Sequence, residues 1–503
     1  MKFNEIFYEK FDGDVLLIQP NMLQKIKPKY IDPVQTDYWE NSEKVGSLLG
    51  DLPIEPNWGL LSIAGNLKRD KKCSMRYLDF HLYDYVKLKI KGEFIESSDI
   101  LKILKNKKSK VILISVMTLS HYYALEIAKI CKQINPETFI VLGGLHFSFL
   151  PNEAFKEKAV DAVLCGEGEE SISKLLDCII RKEDFTTIDG LILKENKEKT
   201  VEWAYVKDLN TLSLSAYELW AEDVPFIPRV YTARGCNGKC DYCVVNNFFS
   251  NTYRRKDIFK IMEEIEYLTK NLKCKELLIG DLNLGASIDE TIKLCRLIVE
   301  KNIKIQWWCQ TRADGLNEEV LYWMSKAGCV QIGIGIESND KDILVKSSSM
   351  KKNLKIDTEE LCKLIKKYGM QVQGYFIIGL PNESINSAIS TIKYIDYLTS
   401  NNFVDITHIA VLVPYPGTPI YENPKKYNIK ILTYDYSKYI MNCDYMNTGI
   451  PVIETENLSE YQIYSLWQLA ISTASKNFKK RKALKVPNLF KDTKNFYENL
   501  LLK

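Results

Sequence analysis

Two α/β domains in series are the fold class that this sequence predicts, and three observations carry it. Short apolar runs alternate with helix-patterned segments twice along the chain, first over residues 14–194 and again over 228–425. In the first series, runs end on glycine turns such as Gly143-Gly144 and Gly166-Glu167-Gly168. Finally, 503 residues with 46% apolar and 26% charged content exceed what one compact core encloses. Strand, turn and helix in repetition imply parallel sheets covered by helices. The first series predicts a doubly wound sheet. The second has six β/α units where a complete barrel has eight, so a partial (β/α)6 barrel is expected.

Each element follows from its local pattern. Val15–Gln19 is an apolar run stopped by Pro20, the signature of a buried strand. Residues 56–67 open on proline and continue with helical apolar spacing. Tyr77–Asp79 makes a second strand that ends on an acid, and Lys110–Val116 a third. The helix His121–Ile134 sets Leu125, Ile127, Ala128, Ile130 and Cys131 on one broad face. Phe139–Leu142 and Asp161–Cys165 each run into glycine turns. Ligands of such sheets collect at the carboxyl ends of the strands. Ser115–Thr118, Gly143–His146 and Gly166–Glu169 all fall there.

Residues 195–227 are polar and read as a linker after a first domain of 1–194. The barrel, 228–425, takes its strands from Arg229–Thr232, Glu276–Gly280, Lys304–Cys309, Val330–Ile336, Gln371–Ile378 and His408–Val413. Residues 426–503 lose this rhythm. They are rich in Tyr and Asn, then helical over Leu458–Lys482, and are expected to form a substrate-defining lid over the barrel mouth.

Charge excludes several function classes. The formal net charge is +3, with 68 basic against 65 acidic residues, so no overall field favours nucleic acid. From Lys476 to the end, nine basic residues face two acidic ones, a solvated tail or a docking patch for an acidic partner. No stretch approaches the ~18 apolar residues of a membrane span. The opening M-K-F-N-E-I-F-Y-E-K has no apolar signal core, so a cytoplasmic chain with reduced thiols is expected.

Thirteen cysteines then need an explanation, and three lie within eight residues. Arg234-Gly235-Cys236-Asn237-Gly238-Lys239-Cys240-Asp241-Tyr242-Cys243 follows directly on the first barrel strand. Chance would give C-x3-C-x2-C in about one such chain in a hundred. Thiolates suit soft centres, zinc or iron–sulfur. A structural zinc site wants four ligands, usually in two pairs, and no histidine is near; three thiolates suit a 4Fe–4S cluster with one open iron. The other ten cysteines are most simply buried apolar side chains.

At this point the sequence resembles the radical S-adenosylmethionine (SAM) enzymes. The cysteine motif carries an aromatic before its last cysteine. Gly328-Cys329 leads to Gly333-Ile334-Gly335-Ile336-Glu337-Ser338, like the family's fourth-strand pattern. Tyr375 to Glu383 (Y-F-I-I-G-L-P-N-E) is similar to its fifth-strand, adenine-contacting segment. Pro414-Tyr415-Pro416-Gly417-Thr418-Pro419 resembles the turn after the sixth strand. Upstream, Leu17-Ile18-Gln19-Pro20, Trp58-Gly59-Leu60-Leu61, Ile114-Ser115, Gly143-Gly144-Leu145-His146, Gly166-Glu167-Gly168-Glu169 and Ile188-Asp189-Gly190-Leu191 are similar to the Rossmann-like cobalamin-binding domain of one large subgroup. Three departures stand out. Ile279-Gly280-Asp281-Leu282-Asn283 lacks one of the paired aspartates common there. Pro381-Asn382-Glu383 has Asn where Gly is usual. Asp79-Phe80-His81-Leu82 lacks the spacing of the D-x-H-x-x-G signature, so no histidine is offered as lower cobalt ligand.

The resemblance implies three cofactors: a 4Fe–4S cluster, SAM and cobalamin. Cys236, Cys240 and Cys243 would hold the cluster. Tyr242 would pack on adenine or only exclude water. Glu337 would accept from ribose hydroxyls or the SAM ammonium, and Arg312 would pair with the SAM carboxylate; barrel-mouth salt bridges are the alternative for both. Asp281, Gly379 and Pro414 complete this set. Ser115, Thr118, Gly143, Gly144 and Gly166 would meet cobalamin, though such glycines also serve as plain turns. No catalytic side chain is assigned. The implied activity is methylation of an unactivated carbon of a small-molecule or peptide substrate, by a 5′-deoxyadenosyl radical and methylcobalamin. A flavodoxin- or ferredoxin-type reductant would supply electrons. Cyclisation or rearrangement by the same domains is the runner-up, and a non-catalytic cobalamin- or cluster-binding regulator the reading from another class.

Overall fold

A computed structural model describes residues 1–21, 55–70, 73–222, 224, 226–347, 357–439 and 451–478. The basic tail beyond 478 and the tyrosine-rich stretch from 440 to 450 lie outside the described residues. The described chain divides into two compact units, one ending at Phe226 and the other beginning at Ile227.

The first unit is built on a six-stranded sheet of order β2-β1-β3-β4-β5-β6. Its strands are β1 (Phe11–Gln19), β2 (Met75–Asp79), β3 (Lys107–Ser115), β4 (Phe139–Gly143), β5 (Ala162–Leu164) and β6 (Leu191–Leu193). The first five run parallel, and β6 pairs antiparallel with β5. Val15, Leu16, Leu17 and Ile18 are all buried, because consecutive residues of a strand point to opposite faces and both faces are covered. The helix Trp58–Asp70 starts just past Pro56, and Trp58 packs against Tyr217 and Phe226. Residues 195–226 fold onto this unit: Ala204 bridges to Gly166, and the Ala216 amide donates to the Leu61 carbonyl at 3.0 Å.

The second unit is an open barrel of order β14-β13-β12-β11-β10-β7, all parallel. Its strands are β7 (Arg229–Val230), β10 (Glu276–Ile279), β11 (Gln306–Thr311), β12 (Cys329–Glu337), β13 (Gln371–Ile378) and β14 (Ile406–Val411). Every strand expected from the sequence is present, shifted by a few residues at its ends. The hairpin β8–β9 (Ala233–Gly235 and Tyr253–Arg255) was not foreseen, nor was the ribbon β15–β16 (Ile429–Ile431 and Ile453–Thr455). Each of these three-residue strands contains a charged residue, so none makes an apolar run like that of β5.

The helix Glu460–Phe478 packs along the barrel edge. The Trp467 indole donates to the Ile409 carbonyl of edge strand β14 at 2.7 Å, and Asn477 donates to Asp396 and Thr399 of the helix Ile385–Ser400, each at 2.8 Å. That helix therefore shields a strand edge that would otherwise be open to pairing. Among the described residues, no helix is long and apolar enough to cross a membrane.

Candidate functional site

The cysteine loop hangs between the strands of the β8–β9 hairpin. Gly235 pairs with Tyr253 and has φ +87°; a Cβ there would sit 1.9 Å from the Thr252 carbonyl oxygen, so only glycine closes this hairpin. Inside the loop, the Gly238 amide donates to Cys236 Sγ at 3.3 Å and the Cys243 amide to the Cys240 carbonyl at 3.1 Å. Outside contacts fix it further. Asn247 of the helix Val245–Phe248 donates to the Gly417 carbonyl at 2.6 Å, and the Ile420 amide to the Asp241 carbonyl at 3.3 Å. The turn after β14 and the cysteine loop are thus one assembly.

The donor set fits an iron–sulfur cluster. None of the three thiols is in a disulfide. Burial pushes the Cys243 thiol up to about 11, with Cys240 and Cys236 adding to the effect. Burial also raises Cys236, partly offset by the Gly238 amide and the Arg312 charge. Thiols that resist ionisation this way become thiolates when a cationic centre takes the place of the proton. Among the described residues, no three His, Cys, Asp or Glu side chains converge to hold a single metal ion. A cluster takes one thiolate on each of three irons and needs no such convergence.

Of the residues expected at SAM, Glu337 and Arg312 reach the loop. Glu337 ends β12 just past a register shift, with φ +60°. Its Oε1 accepts from the Tyr242 hydroxyl at 3.2 Å. A Cβ on Gly335 would come 2.5 Å from that same Oε1, so the glycine makes room for the carboxylate to fold back. Gly379, at φ +91°, donates its amide to Glu383 Oε2 at 2.6 Å, and burial raises that carboxyl to about 8. Pro414 is buried in the turn after β14. Asn382 has φ +64°, which explains Asn in place of the usual Gly: it tolerates the left-handed region better than other side chains.

Asp281 has a different employment from the one expected. Its Oδ1 accepts from the Thr232 amide at 2.7 Å and the Ala233 amide at 3.1 Å, while Oδ2 accepts from the Thr232 hydroxyl. Wholly buried, it braces the strand that enters the cysteine loop. Asn283, which the sequence did not single out, joins three parts of the site. Its Oδ1 accepts from Thr311 Oγ1 at 2.9 Å and the Arg312 amide at 3.0 Å, and its Nδ2 donates to Asn237 Oδ1 at 2.9 Å. An aspartate at 283 could not make that last donation.

In the first unit, Ser115 ends β3, and Thr118 begins a short turn whose carbonyl accepts from His121 Nδ1 at 2.8 Å. The glycine turns are tied together by Ser148, whose hydroxyl donates to the Gly144 carbonyl at 2.8 Å and accepts from the Gly166 amide at 3.0 Å. Gly144 is required by its own fold, since a Cβ would lie 2.7 Å from Val116 backbone atoms. Gly166 is required likewise, with a Cβ 2.3 Å from the Ala204 oxygen. Gly143 meets nothing nearer than 3.4 Å. Glu167 accepts from the Val206 amide at 2.9 Å and Glu169 from Ser62 at 2.8 Å, so this acidic turn clamps the chain segments around it. His146 is buried, and burial pushes its imidazole down to about 3, with His121 beside it. Asp79 caps the helix Phe80–Lys91, accepting from the Leu82 amide at 2.9 Å.

Two family models match the chain, the B12 binding domain over residues 53–176 and the radical SAM superfamily over 230–395. An uncharacterized methyltransferase of Pyrococcus horikoshii is 30% identical over 389 residues, covering 75% of this chain and 81% of its own. The chain belongs to the cobalamin-dependent radical SAM methyltransferase family. The cofactors of this family are a 4Fe–4S cluster, SAM and cobalamin. Another relative of this radical SAM protein is the anaerobic magnesium-protoporphyrin IX monomethyl ester cyclase of Rubrivivax gelatinosus, 24% identical over 426 residues, 80% of this chain and 73% of that one. Among solved structures, the radical SAM methyltransferase TsrM of Kitasatospora setae, with cobalamin and a 4Fe–4S cluster bound, has the same fold. The TM-score is 0.61 at 17% identity, covering 87% of this chain and 80% of that one.

Proposed function

We propose that this radical SAM enzyme methylates a carbon of a small-molecule or peptide substrate and draws its electrons from a flavodoxin- or ferredoxin-type donor. The observation that carries the reading is the three-thiol loop in a chain that also has the cobalamin-binding sheet. When bound, the cluster supplies the electron that cleaves SAM, and cobalamin carries the methyl group. Cys236, Cys240 and Cys243 hold the cluster. Glu337, oriented by the Tyr242 hydroxyl, receives hydroxyl or ammonium donors of SAM. Gly379 and the Pro414 turn shape the adenine side. Ser115, Thr118 and the open flank of Gly143 face the cobalamin tail.

Anaerobic reconstitution with iron, sulfide and cobalamin tests this. Roughly four irons and one cobalt per chain are expected. Turnover should give methylated product, 5′-deoxyadenosine and S-adenosylhomocysteine together. The cyclase among the relatives keeps one second reading in play: 5′-deoxyadenosine with ring closure and no added methyl would establish it.

A further inference from the structure

Arg312 is where the geometry goes beyond the family pattern. It stands at the end of β11, before the turn Ala313–Gly315, and its amide is held by Asn283. Asp314 takes the guanidinium fork side-on: Nε donates to Oδ1 at 3.0 Å and Nη2 to Oδ2 at 2.8 Å. This is the bidentate arrangement that fixes an arginine head in one plane. The remaining nitrogen, Nη1, points at Cys240 Sγ, 3.9 Å away. Gly238 makes that reach possible. A Cβ there would come 2.9 Å from Nη1 and 3.4 Å from Cys236 Sγ, so the guanidinium edge occupies the space a side chain would fill. Burial opposes the charge on Arg312, and Asp314 together with the Cys240 and Cys236 sulfurs more than restores it.

We propose that Arg312 is a positioning residue of the cluster, donating from Nη1 to the Cys240 sulfur and thereby setting the cluster's reduction potential before SAM arrives. The inference rests on the cluster reading above. Reduction adds negative charge to the iron–sulfur centre and its thiolates. A hydrogen-bond donor and a positive charge at the sulfur stabilise the reduced form, so they raise the potential. The alternative employment, pairing with the SAM carboxylate, needs the fork that Asp314 already occupies. The two roles therefore predict opposite experimental patterns.

The test is an anaerobic redox titration of the reconstituted, SAM-free protein, followed by the electron paramagnetic resonance signal of the reduced cluster. SAM is then titrated against the same signal. Arg312→Gln should lower the reduced-to-oxidised ratio at fixed potential about tenfold, a shift of ~59 mV to more negative values for one electron. Gly238→Ala keeps Arg312 but pushes its flexible head off the sulfur, and should shift the potential the same way by less. SAM half-saturation should stay within about threefold in both. If Arg312→Gln loses its iron, Arg312→Lys and Gly238→Ala are read instead; an unmoved potential in both overturns the proposal. So does an unmoved potential in Arg312→Gln with SAM binding weakened tenfold or more, which returns Arg312 to the SAM carboxylate. A wild-type protein that takes up no iron sinks the cluster reading itself; a wild-type cluster with unshifted variants sinks only the role of Arg312.

Discussion

At the scale of single residues, Tyr242 shows how one hydroxyl separates two employments. It lies between Cys240 and Cys243 and donates to Glu337 at 3.2 Å. Tyr242→Phe removes one hydrogen bond and leaves the ring. A net value of about 0.5–1.5 kcal/mol predicts SAM half-saturation weakened roughly two- to tenfold, with iron content unchanged. Iron lost with SAM affinity intact would place Tyr242 in water exclusion alone. Asp79 offers a pH test. Its carboxyl is raised from 3.8 to about 7, chiefly by burial. A raised folded value means that the neutral form is the stabilising one. Stability is therefore full below about 4 and lost as pH rises towards 7, by a few kcal/mol at most. Measured melting temperatures of wild type should fall relative to Asp79→Asn across that window and run parallel above it. Legibility differs residue by residue. The cysteine triad was plain because three soft ligands in eight positions have few other uses. Asp281 looked like its neighbours at the barrel mouth, and only its three donors reveal a brace. Asn283 was silent because asparagine is common in turns and its partners are distant in sequence.

At the scale of elements, strands with apolar runs were legible, the three-residue β5 included, and three-residue strands interrupted by charge were not. β12 and β13 run nine and eight residues, with apolar runs that have few alternatives. The hairpin β8–β9 has three residues a side, and its first strand is continuous in sequence with the cysteine loop. Yet the three cysteines proposed as cluster ligands lie between the strands of this hairpin. Gly235→Ala puts a Cβ at 1.9 Å from the Thr252 oxygen in a left-handed backbone. Strain of about 1–3 kcal/mol or more would be relieved by opening the hairpin. The expected outcome is iron content well below that of wild type after reconstitution, with cobalamin uptake and secondary structure by circular dichroism unchanged. Full iron retention would mean that the loop holds its shape without the hairpin. The glycines of the first unit teach the converse lesson. Gly144 and Gly166 were expected either to meet cobalamin or to serve as plain turns, and the nearest neighbours of a Cβ at each are Val116 and Ala204 of the same unit.

At the scale of the whole molecule, the residues proposed for the cofactors divide between two compact units. The sheet β2-β1-β3-β4-β5-β6 has its own buried core, and so does the open barrel. The residues assigned to cobalamin all lie before Phe226 and those assigned to the cluster all lie after it. Neither set contributes to the other's sheet, so loss of one cofactor need not unfold the unit that holds the second. Replacing Cys236, Cys240 and Cys243 together by Ala removes every thiolate of the loop while leaving the entry to β8 braced by Asp281 at Thr232 and Ala233. This variant should bind no iron after anaerobic reconstitution and still bind cobalamin at about one equivalent, read from cobalt analysis and the corrinoid absorption spectrum. Its reductive cleavage of SAM should vanish, because the open iron is gone. The opposite result, cobalamin lost along with the iron, would mean that the sheet depends on a loaded barrel for its fold, and the assignment of independent sites would fall. Equal cobalamin uptake in both proteins would show that cobalamin binding needs none of the loop thiolates, in keeping with its proposed residues Ser115, Thr118 and Gly143, which all precede Phe226.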